Sequence, residues 1–175
     1  MIERLWRCTA PAALAASLLA GTPLAKAEPP GDPTPIRSDD GKYVDKNGNP
    51  TYQIGKGGEV DWYTYSGFVR YSAECLRCHG PDGMGSSYGP ALVESLKRLG
   101  YSDFFSTVAG GKQDVNAAQT LVMPALGGDR NVMCYVDSIY VYLRARADGA
   151  LGRGRPAQHA PKPASYVKAE NECMG

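Results

Sequence analysis

The hydrophobic positions of the chain predict two long helices. The stretch DWYTYSGFVRYSAE offers Asp61, Thr64 and Ser66 as helix caps, and it carries Phe68, Tyr71 and Ala73 among polar residues. A second stretch, NVMCYVDSIYVYLRARA, has apolar residues at steps of three and four, the spacing of one helix face. These apolar residues are Val132, Val136, Ile139, Tyr140 and Leu143.

Shorter elements are predicted on either side of the first helix. Residues 42–44 and 51–54 are typical of two strands, joined by a turn over 45–50 that contains Asn47 and Gly48. The acidic and amide residues of this turn lack the other carboxylates of a calcium-binding loop, so turn formation explains them better. Downstream, ALVESLKRLGYSDFFSTVAGG predicts two short helices. Its apolar side chains, which we expect to face the core or a cofactor, are Leu92, Leu96, Leu99, Phe104, Phe105 and Val108.

The first 27 residues have the pattern of an export signal. Arg4 and Arg7 precede an Ala- and Leu-rich run, which ends at a small-residue cleavage site formed by Ala25 and Ala27. The run is too short and too interrupted by proline to span a bilayer, although a retained anchor is the alternative. We therefore expect cleavage after Ala27, a bacterial periplasmic location and no stable membrane insertion.

The charge balance excludes two classes of partner. The chain has 19 Lys and Arg against 18 Asp and Glu, and removal of residues 1–27 leaves it close to neutral. Such a chain offers no basic surface for nucleic acid and no polybasic patch for anionic lipid.

The cysteines carry the strongest chemical signal. Cys75 and Cys78 form a C-x-x-C pair, and His79 follows at once. Four interpretations are open: a plain disulfide, a thioredoxin-like redox pair, an all-thiolate zinc site and covalent haem. The redox pair needs a preceding strand, whereas a helix is predicted. Zinc sites usually bring their cysteines as two close pairs, and Cys134 and Cys173 are far apart.

Covalent haem explains the motif best, because C-x-x-C-H is the attachment signature of haem c. Two thiols add across the vinyl groups on one edge of the macrocycle. A short helical turn can present both sulfurs and direct the Nε2 atom of His79 at the iron. We therefore expect one haem c, attached through Cys75 and Cys78, with His79 as an axial ligand.

Met123 is the predicted second axial ligand. It lies in TLVMPALGG, where Pro124 favours an extended conformation at the preceding residue. An extended segment suits a loop that covers a haem face, and thioether ligation is common in cytochromes c. A methionine that only fills a gap in the core is the alternative. Other sulfur or imidazole candidates, each less well placed, are Met84, Met133, Met174 and His159.

These motifs, in this order, resemble the class I cytochromes c. The elements are GFVRYSAECLRCHG, GPDGMGSSYGPAL, VMPAL and the final helix. The resemblance implies an all-α fold in which the first and last helices pack together, here with a small β hairpin added on the N-terminal side and an extended C-terminal tail. It implies that Gly67 and Tyr71 meet an aromatic face around Tyr140 and Tyr142. It also implies a hydrogen bond from His79 to the Pro90 carbonyl.

A closer resemblance extends over most of the chain after the signal. The segments around the hairpin, CHGPDGMGSSYGPAL, NVMCYVDSIYVYLRARADGALGRGRPAQH and KAENECMG are similar to the four-cysteine c-type cytochromes of methanol metabolism. That family resembles the electron acceptors of lanthanide-dependent, pyrroloquinoline-quinone (PQQ) methanol dehydrogenases. The resemblance implies a monomeric one-electron carrier rather than an enzyme. Its donor would be such a dehydrogenase, and its acceptor a downstream cytochrome c or oxidase.

The other cysteine pair, Cys134 and Cys173, matches the two extra cysteines of that family. Cys8 is removed with the signal and Cys75 and Cys78 are used by haem, so these two are the cysteines left in an oxidising compartment, and we expect a disulfide between them. Two unpaired thiols or an intermolecular bridge are the alternatives. The predicted organisation is then a signal at 1–27, an extension with the hairpin at 28–58, a haem domain at 59–147 and a disulfide-tied tail at 148–175.

Two other functions compete with this interpretation. The first is a general periplasmic carrier between respiratory complexes and a terminal oxidase. The second is a small haem peroxidase or gas sensor, which needs an open axial position and usually a distal acid or base. His159 is the one histidine besides His79 that could act as that group.

Overall fold

The computed structural model describes residues 29–115 and 120–175. Residues 1–28 are outside it, so the predicted signal peptide and its cleavage site lie outside the described residues. Seven α-helices lie in this part of the chain: α1 Trp62–Glu74, α2 Leu76–His79, α3 Leu92–Ser95, α4 Tyr101–Gly110, α5 Arg130–Met133, α6 Val136–Ala147 and α7 Ala164–Met174. Within the described ranges, every helix is too short or too polar to span a lipid bilayer.

The first predicted helix is confirmed as α1, and its N-cap is Asp61. The Asp61 carboxylate accepts a hydrogen bond from the Thr64 backbone N–H at 2.9 Å, which satisfies a donor that the first turn leaves free. The same carboxylate accepts from the Gln53 N–H at 2.8 Å, so it also ties the preceding segment to the helix. Asp61 is 5% exposed, and burial raises the pKa of its carboxyl group.

Helices α1 and α6 cross at Gly67. A Cβ atom at Gly67 would lie 1.9 Å from the Ser138 carbonyl oxygen, so only glycine permits this approach. One turn later, the Tyr71 ring packs on the Tyr142 ring at 5.5 Å between centroids. The expected contact with Tyr142 is therefore present, whereas Tyr140 packs on Tyr101 and Phe104 instead.

The final predicted helix is divided in two. Helix α5 ends at Met133 and α6 begins at Val136, with Cys134 and Tyr135 between them. All five residues of the predicted apolar stripe are buried, so the period was correct even though the helix is broken. They join side chains from α1, α3 and α4 in one core, which is made of Tyr71, Leu96, Phe104, Val108, Val132, Val136, Ile139, Tyr140, Tyr142 and Leu143.

The two short helices α3 and α4 are confirmed, and most of their apolar residues lie where the pattern indicated. Leu96, Phe104 and Val108 are buried, and Leu92 packs against the core. Phe105 differs, because 38% of its surface is exposed.

The predicted hairpin forms as strand β2 Lys42–Val44 and strand β3 Pro50–Thr51. Val44 pairs with Pro50, so Pro50 belongs to the strand rather than to the turn. The Asp45 carboxylate accepts from the backbone N–H groups of Asn47 and Asn49 at 2.8 and 3.0 Å, the local turn chemistry that we predicted. A third strand, β1 Arg37–Asp39, pairs with β2 and was not predicted.

A second antiparallel pair was also missed. Strands β4 Lys112–Val115 and β5 Thr120–Met123 pair in register from Lys112 with Met123 to Val115 with Thr120. Met123 therefore ends a strand and does not lie in a free loop, although its backbone is extended as predicted.

The C-terminal tail is held to the helices and contains α7, which the sequence did not predict. The disulfide between Cys134 and Cys173 is present, with a Cα–Cα distance of 5.7 Å. The Tyr166 hydroxyl lies 2.5 Å from the Ser66 hydroxyl on α1. Glu170 accepts from Tyr135 at 2.8 Å and contacts Arg70 at 3.4 Å. The tail is thus fixed to both α1 and the α5–α6 segment.

Candidate haem site

Cys75, Cys78 and His79 come together on one helical turn. Cys75 ends α1, and its carbonyl accepts from the backbone N–H groups of Cys78 at 3.2 Å and His79 at 2.9 Å. Both cysteines are free thiols. Because α1 rather than a strand precedes the motif, the setting differs from that of a thioredoxin-like pair.

The other two cysteines are not available to this motif. The Cys134–Cys173 disulfide removes them from the four-thiolate zinc site considered above. Among the described residues, no group of three or more His, Cys, Asp and Glu side chains could hold a metal ion. The groups available to bind a cofactor at the motif are therefore the Cys75 and Cys78 thiols and the His79 imidazole.

The environment of the two thiols differs. Cys75 is partly buried and packs against the core, whereas Cys78 is exposed. Burial, together with the nearby Glu74 and Cys78, raises the pKa of the Cys75 thiol to about 12.

The His79 ring is fixed by a single hydrogen bond. Its Nδ1 atom lies 3.0 Å from the Pro90 carbonyl oxygen, as the resemblance to class I cytochromes implied. A carbonyl can only accept, so Nδ1 carries the proton and the lone pair is on Nε2. Gly89 lies against the same ring, because a Cβ atom there would be 3.0 Å from Nδ1. The ring is 7% exposed, which leaves it one orientation from which to act as a ligand.

The loop after His79 is held by equally close contacts. The Tyr71 hydroxyl donates to the Gly80 carbonyl at 2.5 Å, and the Gly85 N–H donates to the His79 carbonyl at 2.7 Å. Gly80 has φ +70°, and a Cβ atom there would lie 2.2 Å from the Gly85 carbonyl oxygen. Sequence reasoning noted the glycines but could not tell which of them this turn requires.

Met123 borders the same core from a distant part of the chain. Its side chain is partly buried and packs against the apolar cluster that Cys75 also touches. Two other methionines are less suited, because Met84 is 48% exposed and Met174 ends α7. Met133, on α5, packs against the same core as Met123 and is the alternative ligand. The described contacts do not join Met123 directly to His79.

His159 is distant from the motif. Its ring stacks on Tyr65 with 3.8 Å between centroids, and its backbone bridges to Val60 before α1 begins. Tyr65 and Cys75 are ten residues apart along α1, a rise of about 15 Å. His159 therefore lies near one end of α1, and the C-x-x-C-H turn follows the other end.

The donor set fits haem c. Two thiols on one turn, an imidazole with a free Nε2 and a half-buried thioether are the groups that attach and ligate this cofactor. Exposed apolar side chains also lie on the elements that carry these groups: Leu76 on α2 and Val122 on β5 are 38% and 56% exposed. Val122 was missed, because the strand that carries it was not predicted.

Comparison with known proteins gives close relatives. No family model matches the chain. Cytochrome c-553I of Paracoccus denitrificans is 52% identical over 143 residues, 82% of this chain, and the match spans 63% of that relative's length. Cytochrome c-555 of Methylococcus capsulatus is 34% identical over 105 residues, which are 59% of this chain and 76% of the relative.

A solved structure agrees with the fold. The crystal structure of the c-type cytochrome XoxG from Methylobacterium extorquens AM1 matches with a TM-score of 0.75 and 55% identity, over 81% of this chain and 86% of that one. The similarity therefore includes the fold as well as the sequence. The chain belongs to the c-type cytochromes, a family of electron-transfer proteins that carry covalent haem c with iron.

Proposed function

We propose that this protein is a periplasmic one-electron carrier whose haem c is attached through Cys75 and Cys78, with His79 and Met123 as axial ligands. The observation that carries the proposal is the His79 ring. Its Nδ1 is held by the Pro90 carbonyl at 3.0 Å, and its Nε2 is free on the turn that bears both thiols.

Haem c supplies an iron that cycles between Fe(III) and Fe(II) and so carries one electron at a time. The residues of the chain set the conditions for that step. The hydrogen bond to the Pro90 carbonyl holds the His79 ring in one orientation, with Nδ1 engaged and Nε2 left as the ligating atom. The Met123 thioether, a soft ligand, favours the reduced state and raises the potential.

The rival function, a small peroxidase or gas sensor, has less support. Such proteins need an open axial position and usually a distal acid or base. His159 is stacked on Tyr65 near the start of α1, about 15 Å along the helix from Cys75. It cannot serve as the distal group, and Met123 would fill the open position.

The proposed electron donor is a PQQ-dependent methanol dehydrogenase of the lanthanide type. The support is the resemblance of the hairpin, the C-x-x-C-H segment and the tail to the cytochromes of methanol metabolism. A reduced quinone holds two electrons, and a single haem takes one per encounter. Turnover therefore needs a small interface that dissociates quickly. The downstream acceptor would be another cytochrome c or an oxidase, and the carrier would act as a monomer.

The competing donor is a respiratory complex, as for a general periplasmic carrier. The two are separated by steady-state methanol oxidation with the purified protein as sole electron acceptor. An unrelated class I cytochrome c is the control. We expect a rate well above the control that changes little with ionic strength, because a nearly neutral chain gives weak long-range steering. A rate equal to the control at every salt concentration would favour the respiratory carrier.

A further inference from the structure

The residue that precedes β4, Gly111, lies directly against the backbone of Met123. Helix α4 ends at Gly110, and the Gly111 N–H closes the helix by donating to the Thr107 carbonyl at 2.9 Å. A Cβ atom at Gly111 would lie 2.7 Å from the Met123 carbonyl oxygen and 2.8 Å from the Ala125 nitrogen. Real Cβ atoms do not approach backbone atoms this closely, so a side chain here would move the Met123 segment.

The backbone conformation of Gly111 makes the same demand. Its φ of +74° and ψ of 178° are in a region that is essentially restricted to glycine. Any other residue would either be strained there or rotate out of it. Rotation would change the direction in which β4 leaves α4, and Lys112, the next residue, is the strand partner of Met123.

The segment after Met123 is fastened to the same helix end. The Leu126 N–H donates to the Val108 carbonyl at 3.0 Å, and the Gly127 N–H donates to the Ala109 carbonyl at 3.0 Å. A Cβ atom at Gly127 would lie 3.0 Å from the Ala109 carbonyl oxygen, a tight but weaker restriction than at Gly111. Met123 is thus held by strand pairing on one side and by the end of α4 on the other.

We propose that Gly111 is the positioning residue for Met123: its missing side chain lets the end of α4 support the Met123 backbone, so that the thioether is presented at one fixed place. The inference rests on the proposed assignment of Met123 as an axial ligand. An axial bond tolerates little displacement of its sulfur, and a long flexible methionine side chain needs a fixed backbone to meet that requirement. Nothing else in the sequence pattern distinguishes Gly111 from Gly110, its neighbour.

Three alanine variants of the haem-loaded protein separate positioning from general damage. Gly110→Ala is the matched control, because nothing lies within 4 Å of a Cβ there and its φ is ordinary. Gly127→Ala adds a Cβ that presses on the Ala109 carbonyl oxygen, the milder clash, and Gly111→Ala adds one that presses on the Met123 backbone, the more severe clash. The readouts are the ferric methionine-to-iron charge-transfer band in the near infrared, the midpoint potential, covalent haem content and far-ultraviolet circular dichroism at one temperature.

The expected order is no change for Gly110→Ala, loss of the band on mild warming for Gly127→Ala, and loss already at low temperature for Gly111→Ala. The last loss should come with a more negative potential, unchanged covalent haem and native helix content. If Gly111→Ala does not accumulate as folded protein, the test is the temperature at which the charge-transfer band is lost in the other two variants. A lower temperature for Gly127→Ala than for Gly110→Ala supports the inference, and equal temperatures overturn it. If all three variants keep the charge-transfer band as the wild type does, the role of Gly111 is overturned, but the ligation by Met123 is not. A wild-type protein without the band overturns both the ligation and the inference.

Discussion

The two cysteine pairs of this protein are used in opposite ways. Cys75 and Cys78 have only two residues between them, lie on one helical turn and are not joined by a disulfide. Cys134 and Cys173 have a sequence separation of 39 and are joined by a disulfide. The function of Cys75 and Cys78 can be predicted from the C-x-x-C-H motif, because the geometry of this pair is set by neighbouring residues. The distant pair has a purpose that depends on the folded chain, since it fastens α7 to the end of α5.

The largest expected effect is on covalent haem attachment, which should depend on one cysteine pair and not on the other. Replacing both cysteines of the close pair, as Cys75→Ala with Cys78→Ala, should abolish covalent haem, because no thioether can form. Haem should then extract fully into acid acetone, and the intact mass should lack it. The matched control, Cys134→Ala with Cys173→Ala, should keep its haem through the same extraction. Equal haem retention in both variants would contradict the assignment.

The second effect separates the pairs by stability. Loss of the Cys134–Cys173 disulfide should lower the free energy of unfolding by about 2–4 kcal/mol, because a long loop of the unfolded chain is no longer closed. Chemical denaturation of oxidised protein and of the Cys134→Ala, Cys173→Ala variant measures this difference, with the haem spectrum as a check that the site is unchanged. A stability unchanged within about 0.5 kcal/mol would show that hydrogen bonds alone fix the tail.

A third, smaller effect tests how tightly the His79 turn is packed. Gly80→Ala should cost about 1–3 kcal/mol for a backbone conformation (φ 70°, ψ 168°) that is essentially restricted to glycine, and overpacking against the Gly85 carbonyl adds about 1–3 kcal/mol. Gly57→Ala is the matched control, because Gly57 also has a positive φ, +90°, but nothing lies within 4 Å of its Cβ position. In denaturant unfolding, the free energy of unfolding should therefore be lower for Gly80→Ala than for Gly57→Ala. Equal losses would mean that the turn can open to accept a methyl group.

The smallest effect concerns the ionic contacts of α7. Burial opposes ionisation of Glu170, but hydrogen bonds from Lys162 and Tyr135 outweigh it and hold the pKa of Glu170 below its ordinary value of 4.5. A lowered pKa stabilises the folded state above pH 4.5, and this contribution is lost as the pH falls through the folded pKa. Glu170→Gln should therefore reduce stability at neutral pH, by less than about 1 kcal/mol.

The pH dependence of stability tests whether Glu170 acts through its charge. The stability difference between the wild type and Glu170→Gln should shrink as the pH falls below 4.5, because the wild-type carboxylate becomes protonated. Thermal unfolding of both proteins from neutral to acid pH measures it. A difference that stays constant over this range would mean that Glu170 acts through packing rather than charge.

The sequence predicted what depends on local pattern and missed what depends on distant partners. The apolar period of α6 and the helical C-x-x-C-H turn are each decided within a few residues, and each was predicted correctly. The start of α1 was narrowed to three candidate caps, of which the structure uses Asp61. Strand β5 was missed, because its alternation is short and its partner β4 is almost wholly polar. Helix α7 was missed too, since its stability comes from Tyr166, Glu170 and the disulfide rather than from a strong apolar stripe.

The candidate haem site also has one feature that the sequence implied and one that it did not. The orientation of His79 follows from a carbonyl eleven residues away on a glycine-rich loop, which the family pattern already implied. The support of Met123 by Gly111 had no signal in the sequence, because a glycine between a helix and a strand is typical of many helix ends. A close backbone approach of this kind becomes visible only when the folded chain brings both segments together.

One measurement tests the central claim most directly: the near-infrared spectrum of the ferric protein, compared with that of Met123→Ala. If His79 and Met123 are the axial ligands, the wild type has the methionine-to-iron charge-transfer band, and Met123→Ala loses it while keeping its covalent haem. The absence of the band in the wild type would contradict the His79–Met123 pair. Its persistence in Met123→Ala would transfer the axial role to Met84 or Met133.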